Sequence, residues 1–518
     1  MYLTQSFHKA AIERPNAYAT VFAERRVTFA QFVERISRLA GAFQALGMAH
    51  GDRIGVLALN SDRYIEYVFG TFWAGGVINP VNTRWSINEI AYSLNDCGTE
   101  ILLVDDAFLR LAGPLREQCP CLREVIYCGD GEPPAGTRGY EHLVKSSAPV
   151  RDAFRSGNDL AAILYTGGTT GAPKGVMLSH ANLLCNALSA LAAAPRPAVE
   201  ATLHIAPLFH VGGLALVIQS ALRQAKHVVL PNFDPGAILS TIVEESVNET
   251  FVVSTMLQAI LDHPTFDSHD LSSLTSVLYG AAPMNSTLLH RALKALPSSQ
   301  FMQLYGMTEI APVAAVLPAS CHTPEGQKLN KLKAAGRPAP ICEVRIVDPE
   351  TGEALPVGSV GEVAVSGPSV MLGYWNKPEE TAKALRDGWM HTGDAGYMDE
   401  DGYLFVTDRI KDMIISGGEN IYSTEVENAV LSHPAVQACA VIGIPDEKWG
   451  ESVHAVIVTR ESHHVTAEEV IEHCRRLIAG YKCPRSIEFR AELPHSAAGK
   501  LLKYKLREAF QNSQPHQA

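Results

Sequence analysis

The feature that most restricts this chain is an apolar run, Leu160-Ala161-Ala162-Ile163-Leu164, that passes directly into YTGGTTGAPKGV, residues 165–176. The run is short and apolar at every position, so it reads as a buried strand. The segment it delivers holds four glycines, three threonines and one lysine. Glycine lets backbone N–H groups turn inward, threonine adds hydroxyl donors and lysine adds a mobile cation, a set suited to a polyanion such as a nucleotide phosphate. The loop differs from G-x-x-x-x-G-K-[ST]: Pro173 stands where the second glycine would be, and Gly175 where the hydroxyl would be. The competing reading, a flexible Gly/Thr linker, fits poorly with a buried strand immediately before it.

A chain of 518 residues exceeds what one hydrophobic core supports, about 250–300 residues, so at least two domains are expected. The net charge of −12, with no evident basic face, argues against nucleic acid as the main partner while leaving room for a small anion held by local cations. The N-terminus MYLTQSFHKAA lacks the features of a secretory signal and no run of about 18 apolar residues occurs, which predicts a soluble cytoplasmic enzyme without a membrane span. Peripheral membrane contact and a homodimer stay open. The ten cysteines are scattered, and Cys119-x-Cys121 without a second pair or nearby histidines is a poor zinc signature.

Thr28 with Gln31 forms a capping box ahead of Phe29, Phe32, Val33, Ile36, Leu39, Ala40 and Phe43, and Gly47 supplies a stop, so residues 28–46 read as an amphipathic helix. Short apolar runs at 53–59, 100–104 and 227–230 alternate with such helices, the pattern of an α/β fold. After Gly361 short strands and Gly/Asp turns suggest a smaller β-rich region. Beyond residue 412, helices over 425–431 and 467–479 flank a strand over 454–459, as in a small α/β domain of its own.

Four further stretches, LYGAAPM (278–284), QLYGMTE (303–309), HTGDAGYMDEDGYLFVTDRIKD (391–412) and LPHSAAGKLLK (493–503), follow YTGGTTGAPKG in an ordered set. Together they resemble the adenylate-forming superfamily of acyl-CoA synthetases, peptide-synthetase adenylation domains and luciferases, over essentially the whole chain. The resemblance implies a large N-terminal domain of α/β sheets with a small β-rich subdomain, residues 1–410, and a small mobile C-terminal α/β domain, residues 411–518. It implies ATP, Mg2+ and coenzyme A as cofactors and a small carboxylic acid as substrate, converted to an acyl-adenylate and then to a thioester.

By the same resemblance, Thr166, Gly167, Gly168, Thr169, Thr170 and Gly171 hold the β- and γ-phosphates and Lys174 balances their charge. Gly280, Ala281, Ala282, Tyr305 and Gly306 line the nucleotide, with Tyr305 on the adenine. Thr308 meets the α-phosphate, and Glu309, with Thr169, holds Mg2+. Asp394 accepts the ribose hydroxyls, Arg409 contacts the nucleotide, and Lys500 is the adenylation lysine. Lys411 is the hinge and Gly418 lets the thiol arm approach.

His210 in PLFHVGG resembles the gate of fatty-acid and hydroxycinnamate ligases. The acyl pocket is expected to be lined by Leu208, Phe209, Val211, Leu214, Tyr279 and Met284, with no cation for a second carboxylate and no aspartate for an amino group. Leu304 replaces a glycine common in long-chain and coumarate-type relatives and adds bulk to the tunnel wall. The favoured substrate is a medium- to long-chain fatty acid. An aryl or hydroxycinnamic acid is the alternative, with loading of a carrier protein behind both.

Overall fold

The computed structural model describes residues 2–166, 173–282, 284, 286–416, 419–446, 448–460, 465–495 and 501–513. The fold is α/β, and the chain divides into two compact units: Met1–Val344 with Val365–Met390, and Arg345–Ala364 with His391–Ala518.

The larger unit is built on two sheets. One has eight strands in the order Gly373–Tyr374, Lys174–Ser179, Leu160–Thr166, Val77–Pro80, Arg53–Leu57, Ile101–Val104, Glu124–Tyr127 and Arg138–Gly139. The apolar run ahead of the glycine-rich loop is thus an interior strand, parallel to Val77–Pro80 and antiparallel to Lys174–Ser179. The other sheet has nine strands, and its interior members Gln300–Gly306, Ser276–Gly280, Glu249–Val252, Ala201–His204, Lys226–Val229 and Tyr18–Phe22 run parallel to one another. Parallel strands covered on both faces are buried throughout, as Ser276–Gly280 and Ala201–His204 are.

The predicted N-terminal helix forms over Phe29–Ala45. Thr28 accepts from the Gln31 N–H and the Gln31 side chain accepts from the Thr28 N–H, the reciprocal bonds that the capping box anticipates. Gly47 follows at φ +90°, where a side chain would be strained. Phe29, Phe32, Ile36, Leu39, Ala40 and Phe43, all on the predicted apolar face, are buried.

In the smaller unit a five-stranded sheet contains Glu419–Ile421, Ile414–Ser416, Gly450–Thr459, Val436–Asp446 and Ser486–Phe489. The helix Ser423–Leu431 matches expectation. The helix predicted over 467–479 ends at Arg475. It stops because the chain must turn to bring Ile478 and Cys483 onto the same core as Val470 and Cys474, while Leu477 swings out to solvent. Among the described residues no helix is long and apolar enough to cross a membrane, and no group of three metal-ligating side chains was found.

Several histidines are sealed inside the larger unit. His180, packed edge-on to Phe72 at 5.4 Å, has neither ring nitrogen hydrogen-bonded, and burial pushes its pKa down to about 4. His204 and His227 face each other at 2.9 Å, and burial holds both below the ordinary range, His227 at about 3. A histidine freed by unfolding titrates near 6.5, so between about pH 6.5 and 4 the unfolded chain binds protons that the folded chain refuses. Stability therefore falls as pH falls through this window. His180→Leu should flatten that decline by one proton, about 1.4 kcal/mol per pH unit. Melting temperatures across the window check it, and an unchanged slope would contradict the account.

Candidate active site

Thr166 ends one strand and Lys174 begins the next, the two in register, with the Thr166 hydroxyl 3.5 Å from the Lys174 carbonyl. Gly167, Gly168, Thr169, Thr170 and Gly171 lie outside the described residues, as do Gly418 and Lys500. The stem below the loop is firmly tied. The Tyr165 hydroxyl donates to Asp96 at 2.6 Å, the Trp375 indole N–H donates to the Asp96 carbonyl at 2.9 Å, and the Trp375 backbone N–H reaches the Gly175 carbonyl at 2.7 Å. Lys174 emerges from this stem and pairs with Glu380 at 2.5 Å, its ammonium 5.1 Å from the centre of the Tyr374 ring. That ammonium holds the Glu380 carboxyl below its usual range.

Inside the nine-stranded sheet, Ser276–Gly280 and Gln300–Gly306 lie side by side with Gly280 opposite Leu304. A Cβ on Gly280 would sit 2.2 Å from the Leu304 carbonyl oxygen, and one on Gly306 would sit 1.7 Å from that of Pro312, so both positions require glycine. Ala281 and Ala282 follow Gly280, Ala281 at φ +64°. Tyr305 and Thr308 are half-buried, whereas Glu309 is 7% exposed. The turn carrying Glu309 is clamped by Asn186, which donates to the Ile310 and Val313 carbonyls at 2.9 and 2.8 Å and accepts from the Val313 N–H. The Tyr374 hydroxyl donates to Glu309 Oε1 at 2.8 Å. Carboxylate and hydroxyl oxygens are the donors here, which suits a hard divalent cation such as Mg2+.

In the smaller unit Asp394 and Arg409 stand opposite each other on paired strands, with Arg409 Nε 2.7 Å from Asp394 Oδ1. Two residues expected to serve the nucleotide are thus each other's partners. Lys411 sits in a short turn, Ile410–Asp412, flanked by fixed neighbours. Asp408 accepts from the Ser423 N–H and hydroxyl at 2.5 Å each, and Arg507 pairs with Asp412 at 2.8 Å. Leu501, just after Lys500, pairs in an isolated bridge with His495.

Two residues expected on the acyl side, Tyr279 and Met284, pack instead against the core on the sheet's other face. Tyr279 faces the core of the sheet's other side, where its hydroxyl meets His322 at 2.8 Å, because neighbours on a strand point to opposite faces. Leu278 takes the other face, and Leu304 and Phe251 pack against its cluster with Leu216 and Met302. His210 precedes the helix Val211–Leu222 without capping it. Its Nε2 is buried with no hydrogen-bond partner, and burial with the nearby Arg84 charge pushes its pKa down to about 4, so the ring is neutral near pH 7.

The family model described as AMP-binding enzyme matches residues 7–375, and that described as AMP-binding enzyme C-terminal domain matches residues 425–500. The chain belongs to the AMP-binding enzyme family. It is 40% identical over 501 residues to a feruloyl-CoA synthase of Amycolatopsis sp, covering 96% of each chain. It is 36% identical to the fatty acid–[acyl-carrier-protein] ligase ScoC of Streptomyces coeruleorubidus, covering 98% of this chain and 96% of that one. Among solved structures, the anthranilate CoA ligase AuaEII in complex with anthranoyl-AMP superposes with a TM-score of 0.91 at 28% identity, over 99% of this chain and 98% of that one. The chain is an adenylate-forming enzyme of the acid–CoA ligase class, a class that works with ATP, Mg2+ and CoA.

Asn186 and Tyr374 were not singled out from the sequence. A buried asparagine inside a helix carries no motif, and Tyr374 in MLGYW becomes notable only once its hydroxyl is seen on Glu309.

A phosphate that takes Lys174 must displace Glu380. Exposed ion pairs of this kind are weak, so Glu380→Gln should tighten ATP binding by about two- to fivefold. Calorimetric titration of ATP checks this, and weaker binding would contradict it.

Proposed function

We propose that this enzyme joins an aryl or arylalkenoic acid to CoA through an acyl-adenylate. The observation that carries the choice of acid is Leu304, whose side chain packs with Phe251 against Leu216, Leu278 and Met302. That wall limits the reach of a straight chain, and Phe251, whose ring lies 3.7 Å from where a Cβ on Gly212 would stand, offers a face to a flat substrate. The orphan Nε2 of neutral His210 is the polar atom available to a substrate oxygen in this apolar setting. A medium-chain fatty acid is the second reading, favoured by the wholly aliphatic character of Leu216, Leu278 and Leu304.

In this reading Lys174 and the threonines of its loop bind the phosphates, and Glu309 with Thr169 holds Mg2+, which neutralises phosphate charge when bound. Thr308 faces the α-phosphate. Asp394, held by Arg409, takes the ribose hydroxyls, and Tyr305 with residues 280–282 and Gly306 lines the base. Lys500 stabilises charge as it develops between the carboxylate and the α-phosphate. Lys411, in a turn inside the smaller unit, is the hinge about which residues 411–518 turn so that Gly418 and the thiol arm approach for the second half-reaction.

The test is kcat/KM over benzoates, cinnamates and straight-chain acids, with CoA and separately with an acyl carrier protein. Aryl acids with CoA should lead. Leu304→Gly should shift the profile toward longer chains by about fourfold per added carbon, since each buried methylene is worth about 0.8 kcal/mol. A profile led by long-chain acids in the wild type, unchanged in the variant, would overturn the reading.

A further inference from the structure

We propose that Tyr374 is a positioning residue for metal-dependent ATP binding, fixing Glu309 in place beside the lysine that meets the phosphates. The inference rests on the reading of Glu309 as the Mg2+ carboxylate.

Glu309 and Lys174 belong to the ends of different sheets, and one short segment reaches both. The Met371 N–H bonds the Glu309 carbonyl at 2.9 Å, the Leu372 N–H bonds the Met177 carbonyl at 2.9 Å, and the Trp375 N–H bonds the Gly175 carbonyl at 2.7 Å. Within this segment Tyr374 turns its hydroxyl to Glu309 Oε1 and presents its ring to the Lys174 ammonium. Its own backbone is held in turn, because its N–H donates to the Thr381 hydroxyl at 2.9 Å. Tyr374 is only 7% exposed, as is Glu309, so the contact is shielded from competing water.

A tyrosine that merely filled space would serve as well without its hydroxyl. Here the hydroxyl ends on one oxygen of the carboxylate and restricts rotation of the group. A carboxylate fixed in this way binds a hard cation with less loss of freedom, and removing such outer partners typically costs about 10- to 100-fold in metal affinity. The same ring, beneath Lys174, keeps the distance between anion and cation set by one side chain.

Calorimetric titration of ATP into the full-length protein, with saturating Mg2+ and separately with EDTA, tests the proposal. In the wild type Mg2+ should tighten binding. Tyr374→Phe should lose about tenfold of that gain while leaving affinity in EDTA unchanged, with folding checked by melting temperature. Glu309→Gln should abolish the gain, and adding Tyr374→Phe to it should change nothing more. A Tyr374→Phe protein that keeps the full gain, or that weakens equally with and without Mg2+, overturns the role of Tyr374 alone. A Glu309→Gln protein that keeps the gain overturns the reading of Glu309, and the role of Tyr374 with it.

Discussion

The site depends on a main-chain tie between two sheets. Glu309 follows a strand of the nine-stranded sheet and Lys174 opens a strand of the eight-stranded one, and the backbone of Met371–Trp375 hydrogen-bonds to both neighbourhoods. A carboxylate and an ammonium left free would pair directly and leave nothing for a nucleotide. Glu309, in the turn after one strand, and Lys174, at the start of another, are held apart with Tyr374 between them, and Glu380 is the lysine's partner. The helix His180–Ala193 reinforces the arrangement, since Asn182 bonds the Pro368 and Val370 carbonyls and Asn186 bonds the turn after Glu309.

Local signals carried most of the secondary structure. The capping box at Thr28, the glycine at 47 and the apolar strand at 160 all act within a few residues, so their outcome is written in the neighbouring sequence. The helix after Thr466 ended early for the opposite reason. Its continuation was decided by where Ile478 and Cys483 had to sit in a core assembled from distant strands. The assignment of Tyr279 to the acyl wall failed similarly, because its neighbours on the strand suited either face and the choice came from His322, more than forty residues away.

The candidate site was legible as a set of motifs and much less so as a set of contacts. Lys174, Glu309, Asp394 and Arg409 stand out by their register, but sequence does not show that Lys174 has a carboxylate partner in Glu380 or that Asp394 and Arg409 answer each other. These pairings matter physically. A charge with an internal partner is kept from collapsing onto the wrong group, and a ligand that arrives must exchange with that partner instead of filling an empty place.

The central claim is that the chain activates a carboxylate as an adenylate before any thiol takes part. Exchange of labelled pyrophosphate into ATP, measured with Mg2+ and an acid but without CoA, tests it most directly. The account predicts exchange that depends on the acid and needs no thiol. Exchange that appears only when CoA is added, or release of ADP in place of AMP, would contradict it.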